Sequence, residues 1–395
     1  MLVGIVGKPN VGKSTFFSAL TMATAQIASY PFTTIDANRG VGHVRGPCPH
    51  TSLGSPCNPN NSLCEGGTRY VPIELLDVAG LVPDAHSGKG LGNKFLDDLR
   101  QAHAFIHVVD ASGGTDFEGN PVGVGSHDPA TDVSFLEREI SYWIFGILEK
   151  DFIKIARQSK LAGKKFERML QEKLTGLSIT EAQILLAIRQ SGNDADPLIW
   201  KDDELLRFCK ALQKISKPMI VAANKADIAP PENMERLRAT GYPIVPTSAE
   251  YELALRRAAK AGLVTYRPGA GSFDLVDRSK LNSSQQQALD KMSDWMKSTG
   301  GTGVQPVLEK AVFEVLNLII VYPVEDETKW TDKQGRVLPD AYLMPRGSNA
   351  RDLAFKVHTD LGDNFIRAID GRTHMAVGHD HVLKENDVVK IVARV

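Results

Sequence analysis

Short apolar runs, each ending in polar or glycine-rich residues, set the frame of the first 250 positions. They are Leu2–Val6, Leu75–Val78, Ala104–Val109, Pro218–Ala223 and Ile244–Pro246. Continuous apolar runs of this length read as strands covered on both faces, the habit of a parallel sheet. Between the third and fourth runs the period changes. Phe135, Leu136, Ile140, Trp143, Ile144, Ile147 and Leu148 recur at helical spacing, and Ile179, Ala182, Ile184, Leu185 and Ile188 do so again. After residue 250 the pattern predicts a helix, a loop around Arg267-Pro268-Gly269, and helices near 283–298 and 304–317. Five short strands are then expected: 318–321, 338–343, 352–358, 365–369 and 388–392.

The strand ends carry chemistry. Leu2–Val6 runs into Gly7-Lys8-Pro9-Asn10-Val11-Gly12-Lys13-Ser14, with Thr15 opening the next helix. GxxxxGKS is a phosphate loop. Its glycines let backbone N–H groups wrap a phosphate, its Lys reaches the β- and γ-phosphates, and its Ser ligates Mg²⁺. The second apolar run ends in Asp77-Val78-Ala79-Gly80, placing a carboxylate near Mg²⁺ and a Gly N–H near the γ-phosphate. The fourth ends in Asn224-Lys225-Ala226-Asp227. An Asp carboxylate pairs with guanine N1–H and its 2-amino group, a donor pair adenine lacks. The fifth leads to Ser248-Ala249-Glu250, a backbone contact for guanine O6. In this order the motifs define a GTPase. The expected catalytic groups within these motifs are Lys13 and Gly80.

Composition narrows the surroundings. The chain has 395 residues, enough for two to three domains at roughly 100–200 residues each. Lys and Arg total 46 against 47 Asp and Glu, so no bulk attraction to nucleic acid or anionic membrane is written into it. A local exception runs from Lys154 to Lys173, with seven basic residues against two acidic. It is a candidate phosphate-backbone contact or an ordinary solvated helix face. No apolar run approaches the ~18 residues that span a bilayer, and from its first residues no secretory signal is expected. The cytosol is the expected compartment. Three of four cysteines, Cys48, Cys57 and Cys64, fall with His50 in the stretch 45–69. Their spacing differs from the close CxxC pairs of zinc ribbons, and a metal site, a disulfide or free thiols all remain open. Cys209 reads as core, and His107 and Asp110 as ordinary strand-end residues.

The loop with Asn10, the segment Tyr30-Pro31-Phe32-Thr33-Thr34, the stretch from Asp77 to Arg100 and the tail together resemble the Obg/YchF GTPases, in their archaeal and fungal branch. The resemblance implies a P-loop GTPase domain with a doubly wound, mostly parallel sheet over 1–127 and 216–315. It implies a helical insertion at 128–215 and a β-grasp TGS domain at 316–395. It adds Thr34 to the expected catalytic groups, as the threonine that closes on Mg²⁺ with Ser14 and Asp77, with Thr33, one residue away, as the alternative. It points to K⁺ beside Asn10, with a purely loop-shaping Asn10 as the alternative. Ribosomes or translation-linked RNA are the implied partners. Typical YchF proteins lack NKxD and prefer ATP, whereas this chain keeps Asn224, Lys225 and Asp227. Leu81 stands where Ras-like proteins orient water with Gln, and its side chain has no hydrogen bond to offer. His86, nearby, reads as a solvated side chain.

Overall fold

The computed structural model describes residues 1–21, 38–80, 98–193 and 196–394. Thr34, Leu81 and His86 lie outside the described residues. The described chain gathers into two compact units. Among the described residues, the first holds Met1–Leu20, residues 38–40 and those of Glu74–Val307, and the second holds Thr21, Val41–Ile73 and those of Leu308–Val395.

A seven-stranded sheet carries the motifs. Its strands are β1 (Leu2–Val6), β2 (Arg39–Pro47), β3 (Leu63–Glu65), β4 (Thr68–Asp77), β5 (Ala104–Asp110), β6 (Met219–Asn224) and β7 (Ile244–Pro246). The order is β2-β4-β1-β5-β6-β7, with β3 paired to β4 as a hairpin. β1 runs parallel to both neighbours, Val3 opposite Leu75 and Gly4 opposite Phe105. Every residue of β1, β5 and β6 is buried, as uninterrupted apolar runs require. Gly4 has a packing reason: a Cβ there would stand 2.8 Å from the Phe105 ring. Because these strands are parallel, the loops after β1, β4, β5, β6 and β7 leave from one edge of the sheet, where ligands of such folds bind.

The segment between β5 and β6 is helical, as its periodicity predicts. Helices span Pro129–Leu148, Phe152–Ala162, Phe166–Leu174, Glu181–Gln190 and Asp202–Ser216. The first starts where Asp128 accepts a hydrogen bond from the Ala130 N–H and Pro129 takes the first turn. Thr180 and Gln183 cap another reciprocally. Phe152 stacks on Trp200 with centroids 5.3 Å apart, inside a core shared with Leu136, Ile140, Ile144 and Phe208. Cys209 is buried there, as read.

The first unit ends its strands with a short antiparallel pair, β8 (Val264–Thr265) and β9 (Asp274–Leu275). The second unit carries β10 (Leu318–Val324), β11 (Tyr342–Pro345), β12 (Phe365–Asp370), β13 (Ala376–Val377) and β14 (Asp387–Ala393). They form a five-stranded sheet in the order β11-β10-β14-β12-β13. Two expectations change here. The strand expected at 352–358 is a helix, Ala350–Val357. Asn349 accepts from the Asp352 N–H while Asp352 accepts from the Asn349 N–H, a local capping signal that outweighs the apolar alternation. The strand expected at 338–343 begins only at Tyr342. Leu338 has φ 45°, a left-handed conformation that an extended strand does not admit.

Candidate nucleotide-binding site

The glycine-rich loop is shaped by contacts that leave no room for side chains. A Cβ on Gly7 would lie 2.6 Å from the Val108 carbonyl oxygen. Gly12 has φ +91°, and a Cβ there would lie 2.4 Å from Asn224 Nδ2. Asn10 also takes a left-handed turn, φ 63°, which Asn tolerates better than most residues. Its Nδ2 donates to the Gly119 carbonyl at 2.9 Å. The helix then opens at Lys13, with the Phe16 N–H on the Gly12 carbonyl at 2.9 Å.

The loop's two lysines part company. Lys8 turns inward and is buried, donating to the Thr115 carbonyl at 3.1 Å and pairing with Asp132 at 2.8 Å. Its backbone N–H belongs to the loop, but its ammonium is committed to the protein interior. Lys13 is the lysine at the loop mouth, and its ammonium pairs with Asp77. Asp77 closes β4 in register with Ile5, and Gly80 follows three residues on. Ser14 is exposed beside Lys13.

Asn224 ties three segments together. Its Nδ2 donates to the Val11 carbonyl at 2.8 Å, and its Oδ1 accepts from the Ala249 N–H at 3.0 Å. Lys225, left-handed at φ 58°, sends Nζ to the Asn10 carbonyl at 3.0 Å and to Asp110 at 2.8 Å. Asp227 sits half-buried on the short turn Ala226–Ile228. Tyr251 faces it: burial pushes the phenol up, and the Asp227 carboxylate adds to the shift. Ser248 caps the helix Ala249–Lys260 and donates its N–H to the Thr302 carbonyl at 2.9 Å. Beneath it, buried Glu252 holds Arg256 at 2.6 Å and Tyr266 at 2.7 Å.

Gly7 to Thr15, Asp77, Gly80, Asn224, Lys225, Asp227, Ser248, Ala249 and Glu250 thus all lie in the first unit, around the sheet edge where β1, β4, β6 and β7 end. Cys48, His50, Cys57 and Cys64 come together separately, in the second unit, as free thiols and an imidazole.

A profile of 50S ribosome-binding GTPases matches residues 2–135. That of the Obg-like GTPase YGR210-like, G4 motif-containing domain matches 222–326, and that of the TGS domain matches 331–393. A GTP-binding protein of Methanocaldococcus jannaschii is 53% identical over 99% of both chains. One from Schizosaccharomyces pombe is 35% identical over 98% of this chain and 95% of its own. The crystal structure of a GTP-binding protein from Pyrococcus horikoshii superposes with TM-score 0.79 at 43% identity, over 100% of both chains. The chain belongs to the Obg/YchF-like family of GTP-binding proteins.

As a member of this family it has a P-loop GTPase domain and a C-terminal TGS domain. The ribosome-binding ATPase YchF of Bacillus subtilis is 34% identical over 93% of this chain and 87% of its own. Among the described residues no helix is long and apolar enough to cross a membrane.

Two residues of this Obg/YchF-like protein escape a sequence reading. Asp110, read as an ordinary strand end, is the buried anion that holds Lys225, and it also accepts from the Ser112 N–H at 3.1 Å. Gly119 supplies the carbonyl that anchors Asn10. At φ +90° it lies so close that a Cβ would meet the Pro9 carbonyl oxygen at 2.7 Å. The pairing of β5 with β6, Asp110 opposite Asn224, is the only signal for the first, and motif spacing does not encode it.

His107 offers a stability test. It is wholly buried on β5, and desolvation, with the Lys8 ammonium adding to it, holds its pKa down to about 3. Folded His107 stays neutral while the unfolded residue binds a proton below ~6.5. Its stabilising share is therefore present above ~6.5 and is lost as pH falls toward 3, by about 2 kcal/mol between pH 7 and 5. Urea unfolding of His107→Asn should show a flatter decline than wild type over that window. Identical slopes would remove His107 from the acid response.

Proposed function

We propose that the protein is a Mg²⁺-dependent GTPase that works as a ribosome-associated switch. The observation that carries the guanine reading is Asn224, which joins the glycine-rich loop at Val11 to the Ser248–Glu250 segment at Ala249. With the loop as its floor, Asp227 is the group that reads guanine. Lys13 and the loop N–H groups hold the phosphates, and Gly80 offers an N–H to the γ-phosphate.

The donors suit Mg²⁺. A serine hydroxyl and a carboxylate are hard oxygen ligands, and such an ion usually takes one or two protein groups plus substrate phosphates. Ser14, Asp77 and Thr34 would hold it, and when bound it neutralises charge on the β- and γ-phosphates. Asn10 fits a K⁺ role in one respect: its Nδ2 is taken by Gly119, so Oδ1 is the atom left to a cation. Water is the nucleophile and GDP the leaving group. With Leu81 at the Gln position, intrinsic turnover is slow, and a partner or cation raises it.

A second reading, a nucleotide-gated binding module with hydrolysis as its timer, draws on that same Leu81. The ribosome comes from the name of relatives such as the B. subtilis protein and from the TGS domain. The basic run 154–173 supports it less than its composition suggests. Lys160, Lys165 and Lys173 pair with Asp196, Glu181 and Asp151 outside the run.

One set of hydrolysis measurements tests the reading: GTP against ATP, with Mg²⁺ or chelator, in KCl or NaCl, with and without ribosomes. GTP should lead, chelator should stop turnover, and a K⁺ advantage should vanish in Asn10→Ala. Ribosomes should pellet the GTP-bound form and speed turnover. Equal use of ATP would instead favour a YchF-type ATPase.

A further inference from the structure

We propose that Cys48, His50, Cys57 and Cys64 form a closed, structural zinc site in the second unit. The four residues reach one point by different routes. Cys48 follows the end of β2, and His50 opens the short helix His50–Leu53. Cys57 lies in the loop beyond, and Cys64 is central in β3. The β3–β4 hairpin closes through Gly66 and Gly67, at φ 54° and 82°, a two-residue turn open to glycine. The Gly67 carbonyl then accepts from the Cys48 N–H at 2.8 Å. The hairpin thereby folds Cys64 back over Cys48, although fifteen residues intervene in the chain.

The distances match a tetrahedron. Zinc–sulfur bonds of ~2.3 Å imply sulfur–sulfur edges of about 3.8 Å. Cys48 Sγ and Cys57 Sγ are 3.8 Å apart. His50 Nδ1 lies 3.3 Å from Cys57 Sγ and 3.6 Å from Cys64 Sγ. All four ligand atoms fall within 4.8 Å of one another. The donor set of three thiolates and an imidazole is one that zinc takes in structural sites, with no position left open for substrate. A disulfide would use two of the thiols and strand the third beside the imidazole.

Charge supplies an independent argument. Arg69, opposite Cys64 on β4, is fully buried. Its guanidinium donates to Cys57 Sγ at 3.6 Å, to Ser62 Oγ at 2.8 Å, and to the Leu338 and Pro339 carbonyls at 2.6 and 3.2 Å. Among the described residues none of its hydrogen-bond or ion-pair partners is a carboxylate. A buried, permanently charged guanidinium calls for a counter-charge. Zn²⁺ with three thiolates and a neutral imidazole carries one net negative charge, which cancels Arg69. The Arg69 N–H on Cys57 sulfur is also the kind of outer hydrogen bond that steadies a zinc thiolate. Loading exchanges three thiol protons for one Zn²⁺, so protons leave as metal enters.

The site would fasten a loop that has little secondary structure of its own. Asn58 and Asn60 donate their N–H groups to Val337 and Pro339, and Asn61 Oδ1 accepts from the Ala341 N–H at 2.9 Å. Zinc would hold these asparagines where the 337–341 segment meets them.

The test uses the full chain purified without chelator, with elemental analysis for zinc and iron. About one zinc per chain is expected. Chelated wild type reloaded with Co²⁺ should show intense visible bands of tetrahedral cobalt and a thiolate-to-cobalt charge-transfer band. Cys57→Ser and Cys64→Ser should lose the metal, and Cys209→Ser should keep it. Bound metal should also slow proteolysis between residues 48 and 64. Iron in place of zinc, or wild type that takes up neither Zn²⁺ nor Co²⁺, would overturn the proposal. So would thiols that react equally fast with and without zinc. None of these readouts involves nucleotide, so failure here leaves the GTPase reading standing, and the reverse.

Discussion

Asp227→Asn is expected to trade guanine for xanthine, lowering GTP affinity by about 10²–10³ while admitting xanthosine triphosphate. A carboxylate accepts from both N1–H and the 2-amino group of guanine. An amide in its place accepts one bond and presents a donor to the other donor. Losing one charge-assisted bond and gaining a donor–donor clash costs about 3–4 kcal/mol, with each 1.4 kcal/mol a factor of ten. Xanthine carries an oxygen where guanine has the amino group, so the amide donor finds an acceptor. The scaffold behind Asp227 should survive the change, because Asn224 and Lys225 hold the segment through Val11, Ala249, Asn10 and Asp110. Competition against a fluorescent guanine nucleotide, with GTP, ATP and xanthosine triphosphate as competitors, measures it. Unchanged GTP affinity in the variant would show that another group reads the base.

Groups that must act within one loop are legible from sequence, because their chemistry fixes their spacing. Gly7 to Ser14, Asp77 to Gly80 and Asn224 to Asp227 are of this kind, and the parallel strands that carry them follow from their unbroken apolar runs. Groups defined by pairing across the fold are not legible in this way. Asp110 becomes the partner of Lys225 only because β5 and β6 align it with Asn224. Lys8 is indistinguishable in the motif from a phosphate ligand, and its burial depends on Asp132, which lies 124 residues later. The cysteines are a third case. Their long spacing hides a cluster that a helix turn and a glycine hairpin bring together. The helix at 350–357 failed for a local reason: its apolar residues also alternate, and only the Asn349–Asp352 cap separates the two readings.

The sharpest test of the site sets its two lysines against each other. Lys13→Ala is expected to lower GTP hydrolysis by at least about 10²–10³, the usual cost of losing one positioned donor to a transferring group. It should leave the fold nearly as stable as before. Lys13 and Asp77 are partly open to solvent, 13% and 22% exposed, so water screens the pair, and exposed pairs contribute about 0–1 kcal/mol. Lys8→Ala should do the opposite. Its pair with Asp132 is 5% and 6% exposed, and removing the cation leaves a buried carboxylate with His127 as its one remaining side-chain partner among the described residues. Breaking one partner out of a buried pair costs about 3–5 kcal/mol. Any loss of activity in Lys8→Ala should therefore follow loss of folded protein, while that in Lys13→Ala should not. Single-turnover hydrolysis and urea unfolding on both variants separate the two roles. Near-normal hydrolysis by Lys13→Ala, or a Lys8→Ala protein as stable as wild type, would mean that the loop's lysines have been assigned the wrong way round.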